Sequence, residues 1–194
     1  MTLRVADLDL TDRPSLFASL PPGLVIAEIG VDAGVLSRHI LAASRPSKLY
    51  LVDPWLHWPN NPDPANVPQI VKEAQYREVK ADLGADPRIE IMRLTSVQAA
   101  EWLLESGACS IDVVHIDGDH RQAWWDCMAW WPLVRRGGLL TGHDYLDLDL
   151  PDSYMTVKTD VDRFASVLEL QVHVTSGGDD VYEQNYKSWV IEKR

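Results

Sequence analysis

The sequence predicts an α/β domain built as a doubly wound, largely parallel sheet with helices on both faces, and three observations predict it. Short β-rich runs alternate with helix-length segments from about residue 24 onward. Several of those runs are apolar at consecutive positions, as strands covered by helices on both sides must be. A glycine-containing turn follows the first run, at the strand end where open α/β sheets bind ligands. A chain of 194 residues with 46% hydrophobic content is the size of a single domain with its own core, and one domain over 1–194 is expected.

The elements follow in order. Leu24–Ile29 reads as the first strand. A helix over Val35–Ala43 comes next, opened by Gly34, which can start a helix but costs stability inside one. Leu49–Val52 is the second strand. After it, Pro54 to Pro68 holds five prolines and three asparagines, a density that favours turns and extended backbone. A loop of this length in a compact domain is usually a lid or a binding loop, and Trp55 and Trp58 suggest a substrate wall.

Ile70–Leu83 has helical spacing and Ile89–Leu94 is the third strand. Ser96 is placed to cap a helix over Val97–Ser106. Ile111–Ile116 is the fourth strand, followed by a helix over Arg121–Val134. Arg135-Arg136-Gly137-Gly138 closes that helix, with cations on its negative end and glycine available for a left-handed cap. Leu139–Thr141 is the fifth strand and Leu146–Tyr154 a polar loop on the same side of the sheet. A helix over Val157–Val167 and two further runs, Leu168–Val174 and Ser188–Ile191, complete the chain.

Composition excludes some functions. With 18 basic against 29 acidic residues the net charge is −11, which disfavours nucleic acid as a partner because that affinity comes from clustered Lys and Arg. Cys109 and Cys127 sit in no C-x-x-C or Cys/His cluster and are expected as reduced core thiols. No run of eighteen uncharged apolar residues occurs, so a soluble, cytoplasmic protein without membrane contact is expected.

Four motifs carry chemistry. Ala27-Glu28-Ile29-Gly30-Val31-Asp32-Ala33-Gly34 gives E-x-G-x-x-x-G rather than the dinucleotide spacing G-x-G-x-x-G. An acid on the strand suits a cationic amine better than a pyrophosphate. Asp53, ending the second strand, can accept both hydroxyls of a ribose, although capping the loop would explain it too. Ser96 stands after the third strand, beside an adenine or simply as a helix cap.

The fourth motif is the richest. His115-Ile116-Asp117-Gly118-Asp119-His120 ends the fourth strand and Gly137-Gly138-Leu139-Leu140-Thr141-Gly142-His143-Asp144-Tyr145 ends the fifth. Neighbouring strands bring Asp117, Asp119, His120, His143 and Asp144 together, at a cost in repulsion and desolvation unless a cation or substrate offsets it. Carboxylates with an imidazole suit Mg²⁺ or Mn²⁺. The alternative is structural: Asp119 caps the Arg121 helix, and His115 packs inside its strand.

Together these residues resemble the class I S-adenosylmethionine-dependent methyltransferases, and within them the macrocin-type and cephalosporin-hydroxylase-like O-methyltransferase branch. The resemblance spans about residues 22–193 and implies a Rossmann-like sheet of seven strands, the last antiparallel. It implies Glu28, Gly30 and Gly34 at the methionine end of the cofactor, Asp53 at the ribose, Ser96 near the adenine and Asp117 at the boundary of cofactor and metal. Asp117, His143 and Asp144 hold the positions of the metal ligands in metal-dependent relatives. Where many relatives carry an acid this chain has His143, which is therefore either ligand or catalytic base, with His120 the second candidate base.

The implied reaction is methyl transfer to a hydroxyl of a small molecule, a sugar or glycosylated metabolite, with a homodimer the default assembly for this size. The competing classes are a metal-independent N-methyltransferase on a small amine, a non-catalytic cofactor-binding protein and a nicotinamide dehydrogenase. The glycine spacing and Glu28 argue against the last.

Overall fold

A computed structural model describes residues 1–107, 110–150 and 153–194. In chain order, the first half contains α1 (Arg13–Ser19), β1 (Val25–Ile29), α2 (Val35–Ala43), β2 (Lys48–Val52), α3 (Gln69–Leu83), β3 (Ile89–Met92) and α4 (Ser96–Glu105). The second half contains β4 (Ile111–Ile116), α5 (Ala123–Trp130), β5 (Val134–Gly142), β6 (Asp147–Leu150), β7 (Ser153–Thr156), α6 (Val157–Val167), β8 (Val172–Val174), α7 (Val181–Asn185) and β9 (Trp189–Glu192).

Seven strands form one sheet in the order β3-β2-β1-β4-β5-β9-β8. The pairs from β3 through β5 are parallel, and β9 runs antiparallel to both β5 and β8. This is the expected sheet. Successive residues of β1 point to opposite faces: Ile26 enters a core with Phe17, Ile40, Leu51 and Val79, whereas Ala27 and Ile29 enter one with Ala100, Trp130, Phe164 and Trp189. Helices α1, α2 and α3 therefore cover one face and α4, α5 and α6 the other.

From β1 the chain builds outward to β2 and β3, then returns to lay β4 on the opposite side of β1. Strand order reverses there, and the crevice above the carboxyl ends of β1 and β4 is where such sheets bind ligands. The two ends touch. Asp117 N–H donates to the Ile29 carbonyl at 2.7 Å, and a Cβ on Gly30, at φ +91°, would lie 2.0 Å from the Asp117 carbonyl oxygen.

Several boundaries differ from the sequence reading. Ser96 is the first helical residue of α4, and the cap is Thr95, paired with Gln98 in a reciprocal capping box. Helix α5 ends at Trp130, and Arg135 and Arg136 lie in β5 instead of closing the helix, because Leu133 and Val134 are needed in the core. Leu146–Tyr154 includes strands of an antiparallel hairpin, β6 with β7, and the strand expected over Leu168–Val174 is confined to β8. Residues 53–68 carry no helix or strand, as expected.

Two short helices went unread. Asp12 caps α1 by accepting from Ser15 N–H at 2.7 Å, with Pro14 in the first turn, and Asp180 caps α7 by accepting from Tyr182 and Glu183 N–H. Cys127 is a buried free thiol whose pKa burial pushes up, and Cys109 lies outside the described residues. Among the described residues no helix is long and apolar enough to cross a membrane.

Candidate functional site

The ends of β4 and β5 lie side by side, with Ile116 paired to Gly142, so the residues that follow each strand meet. Asp117, His120 and Asp144 each place a donor atom within 4.8 Å of the others. His120 Nε2 lies 2.8 Å from Asp144 Oδ2 and 3.7 Å from Asp117 Oδ1. His143 stands beside that set: its Nδ1 is 3.1 Å from Asp144 Oδ1 and 4.0 Å from Asp117 Oδ1. Its ring stacks on Tyr182 at 5.8 Å, and its Nε2 faces Glu183 at 3.9 Å. Asp119 does not join the cluster; it turns back to receive Arg121 N–H, and it does not cap the helix as the alternative had it, because α5 begins only at Ala123, after Gln122.

Three contributors come from elsewhere in the chain. Arg13, at the start of α1, donates from Nη1 to Asp117 Oδ2 at 2.8 Å, while its backbone N–H donates to Glu183 Oε2 at 3.2 Å. Asp63, from the loop after β2, lies 3.0 Å from His120 Nδ1. Loop, α1 and α7 therefore all close on the strand ends. The sequence signals for Arg13 and Glu183 were the caps of their helices, Asp12 and Asp180; no short-range pattern marks Asp63.

The electrostatics follow from this crowding. Burial alone would lower the His120 pKa, but Asp117, Asp144 and Asp63 outweigh it and push it up to about 12. His120 is thus an imidazolium held by three carboxylates. Burial would raise Asp117 and Asp144, yet their histidine neighbours, joined by Arg13 at Asp117, hold both below the usual carboxylate range. His115 is buried in β4 with Nδ1 2.9 Å from Thr141 Oγ1, and burial drives its pKa down to about 3. It packs and stays neutral.

The expected cofactor residues lie at the carboxyl ends of β1 and β2 and in the turn after β1. Gly30 there has φ +91°, and Gly34, at φ +74°, caps α2. Glu28 is 1% exposed beneath the turn, its Oε2 accepting from Ser37 Oγ at 2.5 Å, and burial raises its pKa to about 8. A largely protonated Glu28 corrects the expectation that its charge attracts an amine. Asp53 accepts from Asp32 N–H at 2.9 Å and Trp55 N–H at 2.6 Å, the capping role held open for it, and each oxygen keeps a lone pair for a hydroxyl.

Trp55 is fully buried against Tyr76 and is no substrate wall, whereas Trp58 is 46% exposed on the same loop. The apolar ring of Trp55 serves the core because its Nε1–H finds the Asp32 carbonyl at 2.8 Å.

The raised pKa of Glu28 makes stability depend on pH. Unfolded, the group ionises near its ordinary value of 4.5; folded, it holds its proton to about 8. Between those values the folded state binds more protons, so stability falls as pH rises through the window. Glu28→Gln is expected to flatten that fall by an amount on the order of a few kcal/mol, read as the difference between wild-type and variant urea-melt free energies at pH 5 and pH 8. Parallel pH profiles would contradict it.

The donor set is chemically suited to a divalent ion. It offers two carboxylates and an imidazole, and His120 Nε2 and Asp144 Oδ1 are buried without an aligned hydrogen-bond partner in this structure. Asp117 Oδ1 also faces the cluster, its other oxygen being held by Arg13.

Comparison with known proteins agrees with the fold. Residues 27–145 match the profile of a family described as a methyltransferase domain. By sequence alone no curated protein is detectably similar. Among solved structures, a Corynebacterium glutamicum protein is similar at a TM-score of 0.59 with 20% identity, over 93% of this chain and 77% of that one. Aeropyrum pernix fibrillarin, crystallised with natively bound S-adenosyl-L-methionine, is similar at 0.59 with 13% identity, over 88% of this chain and 67% of that one. An O-methyltransferase family protein from Burkholderia thailandensis is similar at 0.59 with 12% identity, over 91% of this chain and 52% of that one.

Proposed function

The chain belongs to the methyltransferase-domain family, and from that premise we propose that it transfers a methyl group from S-adenosylmethionine to a hydroxyl of a small molecule with the help of a divalent metal, Mg²⁺ or Mn²⁺. The observation that carries the metal-assisted reading is the convergence of Asp117, His120 and Asp144 within 4.8 Å beside the crevice at the strand-order reversal.

S-adenosylmethionine would supply an electrophilic methyl group, the O–CH3 bond forming in line as the sulfonium S–CH3 bond breaks and S-adenosylhomocysteine leaves. Asp117, His120 and Asp144 would hold the metal, which would supply Lewis acidity to lower the pKa of an acceptor hydroxyl. His143 takes the hydroxyl proton, oriented by Asp144 on one nitrogen and by Glu183 near the other. His120, held as an imidazolium by three carboxylates in the metal-free arrangement, is the poorer base. Gly30 and Gly34 shape the backbone around the methionine end, Asp53 receives the ribose, Ser96 lines the adenine, and Glu28 supports the turn from below.

The acceptor lies between the loop after β2 and α7. Trp58 on that loop is 46% accessible, and an exposed aromatic face suits a sugar ring or a glycosylated metabolite. One observation favours a second reading. Arg13 and His120 already neutralise Asp117 and Asp144, as a site that methylates an amine without metal would allow.

A screen of hydroxylated and amine acceptors with methyl-labelled S-adenosylmethionine separates the two. Label is expected in hydroxylated acceptors as an ether, and labelling confined to amines would favour the second reading. In the same assay His143→Ala is expected to lower turnover by about a hundredfold or more while S-adenosylhomocysteine affinity changes little. Wild-type turnover by that variant would move the base to another residue.

A further inference from the structure

The reaction above gives Asp63 no task of its own, although its Oδ2 stands 3.0 Å from His120 Nδ1. The opposite ring nitrogen, Nε2, faces the candidate ion site, 2.8 Å from Asp144 Oδ2 and 3.7 Å from Asp117 Oδ1. His120 therefore spans two places, with one nitrogen among the possible ligands and the other against the loop after β2. A neutral imidazole gives its lone pair to an ion through one nitrogen while its hydrogen sits on the other. The partner of that other nitrogen decides which is which.

Asp63 is braced for this. Its Oδ1 accepts from Ala65 N–H at 2.7 Å, its carbonyl accepts from Asn66 N–H at 2.9 Å, and its own N–H donates to Asn61 Oδ1 at 3.1 Å. Oδ2 is thus the oxygen turned to His120. Asn66 ties the same turn to Trp58: its Nδ2 donates to the Trp58 and Asn61 carbonyls, and its Oδ1 accepts from Trp58 N–H at 2.9 Å. The other polar contacts of residues 56–67, among the described residues, stay within the loop or meet Gln69 at the start of α3. Asp63 with His120 is the polar link from this unit to the strand ends.

We propose that Asp63 is a positioning residue with two effects from one contact: it holds a hydrogen of His120 on Nδ1, leaving Nε2 to ligate a divalent ion, and it docks the loop carrying Trp58 against that site. The assignment rests on the metal-assisted reading. An ion that takes Nε2 displaces the hydrogen there to solvent, and Asp63 keeps the one on Nδ1. Because one contact serves both effects, whatever the docked loop adds to ion affinity, the ion adds to loop docking.

Calorimetry with Mn²⁺ and hydrogen exchange of residues 56–67 test it on wild type, Asp63→Ala and Asp63→Asn. Asp63→Ala is expected to weaken Mn²⁺ binding by about tenfold to a hundredfold, the usual cost of losing the partner behind a ligating histidine. Asp63→Asn is expected to weaken it at least as much. Ala65 N–H keeps the asparagine Oδ1, so the amide nitrogen takes the place of Oδ2 and offers a hydrogen to Nδ1. The ring hydrogen is then driven to Nε2, where the ion belongs. Saturating Mn²⁺ is expected to slow exchange of the loop amides in wild type and to leave it unchanged in both variants.

Equal Mn²⁺ affinity in wild type and both variants would leave the metal reading standing and overturn the assignment. A loss in Asp63→Ala that is absent in Asp63→Asn would overturn it too, because the contact would then only brace the loop. Slowing of the loop amides by Mn²⁺ in Asp63→Ala as in wild type would overturn the docking effect. Absence of Mn²⁺ binding in wild type would remove the metal reading and the assignment with it. If Asp63→Ala does not fold, wild type and Asp63→Asn, which keeps the turn at Ala65, decide the matter by the same affinities.

Discussion

Asp144→Asn is expected to lower methyl transfer by about a thousandfold, some 4 kcal/mol of transition-state stabilisation, while the protein stays folded and keeps its affinity for S-adenosylhomocysteine. The separation of effects follows from the backbone. Asp144 sits at φ +53°, a left-handed conformation that Asn adopts as readily as Asp, so the substitution adds no strain. His120 keeps Asp63 and Asp117 as partners, which limits the cost to the fold. What is lost is one anionic donor of the three-residue set and the carboxylate that orients His143. Kinetics and calorimetry on the same preparation check both halves. Retained turnover would take Asp144 out of the chemistry, and lost cofactor affinity would move it into the cofactor site.

Gly30→Ala is expected to have the largest effect on stability, above about 4 kcal/mol, enough that little folded protein accumulates. The new Cβ would meet the Asp117 carbonyl oxygen at 2.0 Å, its carbon at 2.5 Å and Gly118 N at 2.9 Å. All three are backbone atoms at the junction of β1 and β4, so relief requires separating the two central strands. Gly23→Ala is the internal control. Gly23 has φ +86° but nothing within 4 Å of its Cβ position, so it suffers conformational strain alone, about 1–3 kcal/mol. Urea melts of the two variants test the contrast, and equal destabilisation would mean that conformation, not strand contact, explains Gly30.

These two residues illustrate what the sequence makes legible. β1, β2 and β4 are covered on both faces, so Leu24–Ile29, Leu49–Val52 and Ile111–Ile116 read as largely apolar runs whatever surrounds them, each within one residue of the strand observed. Gly30, Asp117 and Asp144 are legible because strand ends and turn glycines are local features, whereas the turn that carries Asp119 away from the cluster is not. The sequence extends helix α5 past Trp130 because Trp131, Leu133 and Val134 continue its apolar pattern, and only pairing with β4 assigns Val134 to a strand.

α1 and α7 are seven and five residues long, too short to show an amphipathic period, and were signalled by caps alone. Arg13 reaches Asp117 across 104 positions and Glu183 across 170, and Asp63 meets His120 from a loop without regular structure. Tertiary contacts of that range leave no trace in spacing. The burial of Trp55 is equally long-range: a tryptophan in a proline-rich loop resembles a surface wall in sequence, and α3 covers it through Tyr76. Glu28 kept its position but not its expected charge, because burial is a property of the whole fold.

The most direct test of the central claim is methyl transfer by protein stripped of metal, assayed in excess EDTA and again after adding Mg²⁺ or Mn²⁺. A site built from Asp117, His120 and Asp144 predicts loss of turnover by about a thousandfold in chelator and recovery with either ion, without a matching change in S-adenosylhomocysteine affinity. Full turnover in EDTA by the metal-stripped protein would contradict it.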